Sequence, residues 1–388
     1  MRVERRLRFG VACLVAACLA CDDADQTLLE PVQPGLPGGV LVASVPIPDD
    51  YGIHDTFIRD GLAFVCAWNT GVMIFDVGNG IAGGSPSNPK LISTYATVGG
   101  RVHNAWWFWN PHTAEKKYLF VGEEGPASGF SATSGDIHVV DVSDLAHPSE
   151  VAFFHLDGAG THNFWMDEDA QILYAAFYNQ GVIALDVSGT LIGDLSTRLI
   201  DSIRPGGVGN TYTWGVQLQG SLYAIDMLSG FWQLELAGGK FTVLGGGDNV
   251  PDRYSSDLAV GANGFAYTGT WGSRGGNSGN AVKIWRIGAG APALADSIII
   301  SGIGTVSDIK VSPDGNLLMF TAERGPNNGF WFYSLQDPAK PALIGKYLVA
   351  SGVHTGKFAT IGGRLYAFGA QDPYPSTLLI LDVTDIGP

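Results

Sequence analysis

Short runs of alternating apolar and polar residues, separated by turn-forming clusters, cover most of this chain. Residues 160–189, GTHNFWMDEDAQILYAAFYNQGVIALDVSG, contain three such runs, at 162–166, 172–178 and 181–187, separated by the clusters DED and NQG. Alternation with a period of two residues is typical of strands that bury one face. The segment is therefore predicted to be a meander of antiparallel strands.

The same unit recurs along the chain. The third run returns seven times, and one position near its end forms a column: Asp76, Asp141, Asp186, Glu235, Arg286, Ser334 and Asp382. Its members are 65, 45, 49, 51, 48 and 48 residues apart, which matches the length of a four-stranded β-propeller blade. The first run forms a second, independent column: His54, His103, His162, Thr213, Ser256, Ser307 and His354. Seven copies of each run predict an all-β, seven-bladed β-propeller.

The seventh repeat ends after its third run, because the chain stops there. Residues 40–48, VLVASVPIP, resemble the fourth runs of other repeats and have no first three runs before them. A ring of blades loses its open edges when the first and last segments share a blade. Residues 40–48 are therefore predicted to be the outer strand that closes the seventh blade.

The N-terminus has the order of an export signal. Four arginines, at positions 2, 5, 6 and 8, precede an apolar stretch at 9–20 that is too short to span a bilayer. Residues 15–18, Val-Ala-Ala-Cys, resemble a bacterial lipobox ending in Cys18, and Cys21 is a competing acceptor. We expect a lipoprotein-type signal peptide at 1–20 with lipidation at Cys18 or Cys21, a flexible tether at 21–39, and the propeller at 40–388. The alternative is an ordinary cleaved signal with unrelated cysteines.

Charge and cysteine content narrow the classes of partner. The formal net charge is −15, and removing residues 1–20, which hold four Arg and one Glu, would make it −18. Such an acidic chain is not expected to bind nucleic acid or to adsorb to anionic lipid, so membrane contact is expected through the lipid anchor only. Cys66 is the only cysteine after position 21. The propeller therefore has no internal disulfide and depends on its core.

The third runs also carry a family resemblance. They read GVMIFDV, DIHVVDVS, GVIALDVS and TLLILDVTD in repeats 1, 2, 3 and 7. This pattern resembles the LVIVD-repeat family of bacterial β-propellers. In repeats 4 to 6 other residues replace the aspartate, so the assignment of those repeats depends on their spacing more than on the motif. The resemblance implies an exported or surface-attached propeller of the bacterial envelope and supplies no catalytic residues. With the predicted lipid anchor, the outer membrane or cell surface is the expected location.

The first-run column contains the strongest candidate chemistry. His354, His54, His103 and His162 belong to four consecutive blades, and first strands of a propeller line its central channel. Converging imidazoles could hold Zn, Cu or Fe. A seven-bladed channel is wide, so two or three of these side chains, rather than four, are expected to share an ion. The alternative needs no cofactor, because the histidines could instead close a hydrogen-bond network between blades.

Two further groups of residues have candidate roles. The aspartates of the third runs are predicted to accept hydrogen bonds from the turns that follow them. Aromatic and basic residues in or near the longer loops are predicted to form a binding rim for glycans or peptides: Trp106, Trp107, Trp109, Trp271, Arg274 and Arg324. Packing of the aromatic residues between blades is the alternative.

These observations favour a lipid-anchored binding or scaffold module with protein or glycan partners. The alternative function is a metal-dependent enzyme, redox or hydrolytic, with the histidine site in the channel. The sequence has no GxSxG, HExxH, P-loop or Rossmann pattern. Nucleophilic hydrolysis and nucleotide chemistry therefore have no support from motifs.

Overall fold

The computed structural model describes residues 38–125, 130, 132–272, 274–372 and 375–387. The predicted signal peptide, the predicted lipidation sites Cys18 and Cys21, and residues 21–37 of the predicted tether lie outside this part. The described residues form 29 strands and one short 3₁₀ helix, Ser196–Arg198. None of the helical structure described is long and apolar enough to cross a membrane.

The strands form seven sheets, which are the blades of a β-propeller, so the predicted fold class is confirmed. Blade 1 contains β2 (Ile53–Arg59), β3 (Leu62–Ala67), β4 (Gly71–Asp76) and β5 (Lys90–Tyr95). Blade 2 contains β6 (Val102–Trp107), β7 (Tyr118–Glu123), β8 (Ile137–Asp141) and β9 (Ser149–Phe154). Blade 3 contains β10 (Phe164–Asp167), β11 (Ile172–Ala176), β12 (Val182–Asp186) and β14 (Leu199–Ile203). A two-residue strand, β13 (Gly193–Asp194), pairs in parallel with β9 and adds a fifth strand to blade 2.

The second half of the ring repeats this arrangement. Blade 4 contains β15 (Thr213–Gln219), β16 (Ser221–Asp226), β17 (Gly230–Ala237) and β18 (Lys240–Gly246). Blade 5 contains β19 (Tyr254–Val260), β20 (Phe265–Trp271), β21 (Ala281–Arg286) and β22 (Ala293–Ile299). Blade 6 contains β23 (Thr305–Val311), β24 (Leu317–Glu323), β25 (Gly329–Ser334) and β26 (Ala342–Leu348). Blade 7 contains β27 (Thr355–Ile361), β28 (Arg364–Ala370), β29 (Thr377–Asp382) and β1 (Val40–Pro46).

Strand β1 is the outer strand of blade 7. It pairs antiparallel with β29, from Val40 opposite Asp382 to Pro46 opposite Thr377. The first described strand and the last thus belong to one sheet, and the backbone edge of β29 is covered.

Burial follows strand position within each blade. All residues of β3 and β4 are buried, whereas β5, the outer strand of the same blade, has no buried residue. Aromatic side chains of the inner strands, such as Phe64, Phe120 and Phe320, are fully buried in cores between neighbouring blades. Burying one such side chain contributes about 1.5–3 kcal/mol. The blades are therefore held together by apolar packing.

The aspartates at the ends of third strands bind the turns that follow. Asp141 accepts a backbone N–H bond from Ser143, and Asp186 accepts one from Ser188. Asp76 accepts five such bonds along a longer turn, from Gly78, Asn79, Gly80, Ala82 and Gly84. These carboxylates face backbone N–H groups, as the sequence predicts.

Blade 3 differs from the predicted pattern at its first strand. The first run was expected to be extended from residue 162, but β10 begins at Phe164. The backbone N–H of His162 donates to Ala176 O, and that of Asn163 donates to Trp214 O in blade 4. His162 therefore precedes the strand and is held between two blades.

The two ends of the channel are named from the direction of the strands. At the end we call the entry face, the first strands begin and the second strands finish. At the opposite end, the exit face, the first strands finish. Val40 enters blade 7 at the exit face, because it pairs with the last residue of β29.

Candidate functional site

The four histidines of the first-run column lie side by side at the entry face. His54 and His103 are the second residues of β2 and β6, while His162 lies two residues before β10 and His354 one residue before β27. Their ring centroids are 4.1 Å apart for His162 and His103, 5.2 Å for His103 and His54, and 4.8 Å for His54 and His354. All four line one cavity of about 980 Å³. We call these residues the histidine row.

The two end members of the row are each fixed by a hydrogen bond. His162 Nδ1 is 2.7 Å from Trp214 O, and its ring stacks on the Trp214 indole at a centroid distance of 4.8 Å. His354 Nδ1 is 2.9 Å from Glu323 Oε1. Each end histidine therefore has its Nδ1 atom engaged by a neighbouring blade.

The two middle members of the row surround a carboxylate. Nδ1 of His54 and Nε2 of His103 each lie 3.7 Å from the same oxygen, Oε2 of Glu124. The other oxygen of Glu124 accepts a hydrogen bond from the Tyr178 hydroxyl. His54 Nε2 lies 3.1 Å from Asp372 Oδ2. This is a buried polar cluster in which the central distances are too long for hydrogen bonds.

Burial sets the protonation state of two members of the row. It lowers the pKa of His103 well below its ordinary value, and the three neighbouring imidazoles lower it further. It also lowers the pKa of His162, against the opposing effect of nearby carboxylates. Both side chains are therefore neutral near pH 7, the form in which an imidazole has a lone pair for a metal or a donor.

The pKa of His354 is raised, in contrast to those of His103 and His162. Burial acts to lower its pKa, but the carboxylate of Glu323, with help from Asp372 and Glu124, outweighs burial and raises the pKa of His354 to about 9. Burial, followed by the Glu124 carboxylate, raises the pKa of Tyr178 well above its ordinary value. Tyr178 therefore keeps its proton and is the donor to Glu124. The cavity wall thus contains neutral and charged groups side by side.

The cavity has a second column of residues, of which only Trp271 was named from the sequence. It consists of the residues at or just after the ends of the second strands: Trp68, Glu124, Tyr178, Met227, Trp271, Glu323 and Asp372. The positions of this column could have been identified from the sequence, because the second runs recur as regularly as the first and run antiparallel to them. Antiparallel neighbours bring the end of one strand beside the start of the other. The two columns therefore meet at the entry face.

Aromatic rings form the wall of the cavity around the histidine row. Tyr51 stacks on Trp68 at a centroid distance of 4.8 Å, and Trp214 meets Trp271 edge to face at 4.9 Å. The Arg324 guanidinium lies 4.9 Å from the centroid of Trp271. The indole N–H of Trp214 is buried and has no hydrogen-bond partner among the described residues. Flat apolar faces and unused polar atoms therefore share one wall.

Backbone strain is concentrated at the same place. Three non-glycine residues that line the cavity have positive φ: Tyr178 at 41°, Phe130 at 57° and Arg324 at 64°. Such conformations cost of order 1–3 kcal/mol each and are typical of ligand sites and switch regions. The strain supports the entry-face cavity as the functional site.

The residues predicted to form one binding rim are divided between the two faces. Trp271 and Arg324 line the cavity. Arg274 lies over the ring of Tyr254, a lining residue, at 5.3 Å. These three belong to the entry face.

The three tryptophans of blade 2 are elsewhere. Trp106 lines a separate small cavity at the exit face, together with Trp165. The Trp107 indole N–H donates to Lys116 O, and the Trp109 backbone N–H donates to Glu168. Strand β6 carries them away from His103, because each residue advances a strand by about 3.3 Å. The structure therefore does not bring them to the same rim as Trp271.

An ion cluster occupies the exit-face level of the channel. Lys310 Nζ is 2.5 Å from Asp257 Oδ2 and also bonds Asp308, whose other oxygen accepts the Gly356 backbone N–H at 2.8 Å. Burial alone would raise the pKa of Asp257, but the Lys310 ammonium outweighs it and holds the pKa of Asp257 well below its usual value. These bonds connect blades 5, 6 and 7. The charged groups of the cluster are paired with each other.

Comparison with known proteins agrees with the fold. The LVIVD repeat family model matches residues 55–97 and 131–155, in blades 1 and 2. No curated protein matches the chain. Among solved structures, the WD40 β-propeller domain of Doa1 is similar, with a TM-score of 0.62, 10% sequence identity, and coverage of 90% of this chain and 99% of that chain. At this identity the likeness shows the fold alone. The chain thus contains LVIVD repeats in a β-propeller.

Proposed function

We propose that this chain is a lipid-anchored binding module of the cell envelope and that a neutral glycan binds in the entry-face cavity. One observation carries the proposal: a cavity of about 980 Å³ is lined by aromatic faces and by convergent polar groups. Concave sites of roughly 300–1,000 Å³ are the usual size for small ligands.

The chemistry of the wall favours a sugar over an apolar peptide side chain. Among the described residues of the lining, Met227 is the only one with a non-aromatic apolar side chain, so this part of the wall has little aliphatic surface for a hydrophobic anchor. Trp214 and Trp271 offer flat faces against which the C–H face of a sugar ring can pack. Carboxylates and Arg324 provide acceptors and donors for hydroxyl groups.

Charge favours a neutral ligand over an acidic one. Asp50, Glu124, Glu323 and Asp372 line the cavity, whereas Arg324 is the only Arg or Lys among its described lining residues. The formal net charge of the whole chain is −15. An acidic glycan would approach against this field.

The position of β1 is compatible with a membrane anchor. Val40 enters blade 7 at the exit face.

Binding to a panel of neutral oligosaccharides, measured by calorimetry, tests the proposal. We expect Trp271→Ala and Trp214→Ala each to weaken binding about tenfold, since an aromatic contact contributes about 0.5–1.5 kcal/mol. Trp165→Ala is the matched control, because Trp165 is a partly exposed tryptophan at the exit face. Equal losses in all three variants, or no binding of any glycan while a peptide library binds, would contradict the proposal.

The anchor has its own test. Incorporation of labelled palmitate should disappear in a Cys18→Ser/Cys21→Ser variant and persist in Cys66→Ser, because Cys66 is buried in the core. Incorporation that survives the double substitution would refute the lipobox interpretation.

A metal-dependent enzyme, redox or hydrolytic, is the second candidate. It is favoured by two groups of three possible ligands that share one histidine: His54, His103 and Glu124, and His54, His354 and Asp372. Within each group the ligand atoms lie within 4.8 Å of one another. Turnover that requires added metal and is lost in His103→Ala would support this function, and metal-independent turnover would exclude it.

A further inference from the structure

We infer that the floor of the entry-face cavity binds one divalent first-row transition-metal ion through His54 Nδ1, His103 Nε2 and Glu124 Oε2. This site is more specific than the sequence-based expectation, which was that two or three of the four histidines share an ion. It uses two members of the histidine row and one carboxylate that the sequence did not indicate. It does not depend on the glycan proposal, which concerns the aromatic wall.

The distances from the Glu124 oxygen to the two imidazole nitrogens fit a shared ion, and the three ligand atoms all lie within 4.8 Å of one another. Both imidazole nitrogens lie 3.7 Å from Glu124 Oε2. Ligand atoms at about 2.0–2.2 Å from one tetrahedral ion are roughly 3.3–3.6 Å apart. The observed separations are too long for hydrogen bonds and within a few tenths of an ångström of those around an ion. Small side-chain rotations would complete the geometry.

The cluster also contains buried polar atoms without partners. His103 is 1% exposed and His54 is 7% exposed. His54 Nδ1, which is a proposed ligand atom, and His103 Nδ1, which is on the other side of its ring from the proposed ligand atom, make no hydrogen bond of acceptable geometry with the described residues. Buried polar atoms are nearly always satisfied, so the unpaired His54 Nδ1 beside Glu124 indicates a missing partner.

Neighbouring residues hold two of the ligands in place. Asp372 Oδ2 lies 3.1 Å from His54 Nε2, which leaves Nδ1 directed towards Glu124. The Tyr178 hydroxyl binds the other oxygen of Glu124, which leaves Oε2 for the ion. A carboxylate behind a histidine is the common arrangement at metal sites, since it fixes the tautomer and the ring orientation. Asp372 and Tyr178 are therefore positioning residues.

The other two histidines are less suited to this ion. His162 belongs to neither of the groups whose ligand atoms converge, and its Nδ1 is bonded to Trp214 O. His354 is bonded through Nδ1 to Glu323. The second group, with His54, His354 and Asp372, is less completely buried than the first. Its His54–Asp372 separation is that of a hydrogen bond, which fits the positioning role.

The ligand set defines the class of ion. Two imidazoles and one carboxylate suit Zn²⁺ and also Fe²⁺, and both ions leave at least one further position for water or a substrate. All three ligands line the cavity, so that position is accessible from it. The site thus has the open coordination of a reactive centre and lacks the closed coordination of a structural one.

Equilibrium dialysis of the full chain against Zn²⁺, and anaerobically against Fe²⁺, tests the site. We expect one equivalent of at least one of these ions. Asp372→Asn should weaken binding about 10- to 100-fold, and His103→Ala and Glu124→Gln, which remove ligands, should weaken it more. Co²⁺ should give visible absorption bands in the unsubstituted protein that are lost in Glu124→Gln. His162→Ala is the matched control and should keep the affinity within about threefold.

Three results would overturn the inference. The first is no stoichiometric binding of either ion by the unsubstituted protein. The second is binding that survives in Glu124→Gln, whose near-identical shape preserves the fold. The third is loss of binding in His354→Ala with retention in His103→Ala, which would place an ion on the other group. Glycan binding by the same variants separates this inference from the proposed function, because the glycan is expected to depend on Trp271.

Discussion

The carboxylate of Asp76 organises the long turn after the third strand of blade 1. Burial acts to raise its pKa, but the backbone N–H groups of the turn outweigh burial and hold the pKa of Asp76 well below its ordinary value. Asp186 occupies the same place in blade 3, where its side chain is 44% exposed and accepts one backbone N–H bond. The aspartate at this repeat position is therefore expected to contribute more to the free energy of unfolding in blade 1 than in blade 3.

Asp76→Asn should lower the free energy of unfolding at pH 7 by about 1.5–3 kcal/mol, the value of hydrogen bonds to a charged group. A carboxylate whose pKa is depressed in the folded state stabilises the fold above its unfolded pKa, about 3.9, and this contribution is lost as the pH falls towards the folded pKa. The difference between the two proteins should therefore shrink below about pH 4. Urea unfolding at pH 7 and pH 3 measures it.

Asp186→Asn is the matched control for this substitution and should cost less than Asp76→Asn at pH 7. Equal costs, or a cost for Asp76→Asn that does not change with pH, would contradict the assigned role of the turn.

At the scale of residues, the sequence predicted the histidines of the candidate site but not its carboxylates. The histidine row was predictable, because four copies occupy one column of the repeat. Glu124 and Asp372 were not, because neighbouring repeats place Trp68 or Tyr178 at the equivalent positions. A column of unlike residues gives no signal of common chemistry. Its function depends on which side chains meet in space.

At the scale of strands, glycines fix the turns that lead into the third strands. Gly71, Gly181 and Gly329 have φ of 104°, 81° and 125°. A Cβ at Gly181 would lie 2.0 Å from Ile203 O in the adjacent outer strand. These positions need both the left-handed conformation and the absence of a side chain.

Gly181→Ala should therefore lower the free energy of unfolding by more than about 1 kcal/mol. Gly288→Ala, at a position with open space and no positive φ, should stay within about 0.5 kcal/mol of the unsubstituted protein. Chemical denaturation of both variants checks this. A neutral effect at Gly181 would show that the outer strand of blade 3 can move aside.

Strand direction explains why the predicted rim was only partly assembled. The loops of blades 5 and 6 follow second strands and reach the entry face. Trp106 and Trp107 instead end a first strand, and Trp109 follows it, so these three residues lie towards the exit face. The sequence contained this difference, since the tryptophans come directly after His103 along one run. Grouping by residue type alone concealed it.

At the scale of the whole molecule, the ring is closed by β1. Seven repeats with similar spacing made the fold predictable, because each blade contains the same strand runs. A weak strand pattern in one blade therefore does not change the predicted number of blades. The cavity was not predictable, because its volume and lining depend on how seven different blades meet.

A chain that begins at Asp49, and so lacks β1, should expose the edge of β29. We expect a lower midpoint of thermal unfolding and self-association, because an unpaired edge strand pairs with other chains. A chain that begins at Gly38 is the control and should behave as the full chain does. Calorimetry and size-exclusion chromatography measure both effects. An unchanged midpoint and a monomeric product would mean that β1 contributes little to closure.

The most direct test of the entry-face cavity as the functional site is a crystal structure of the full chain with the best-binding neutral oligosaccharide. We expect a sugar ring in van der Waals contact with Trp271 or Trp214, with its hydroxyl groups bonded to the carboxylates of the cavity wall. A sugar bound beside Trp106 at the exit face, or on the outer strands with the cavity empty, would contradict this assignment.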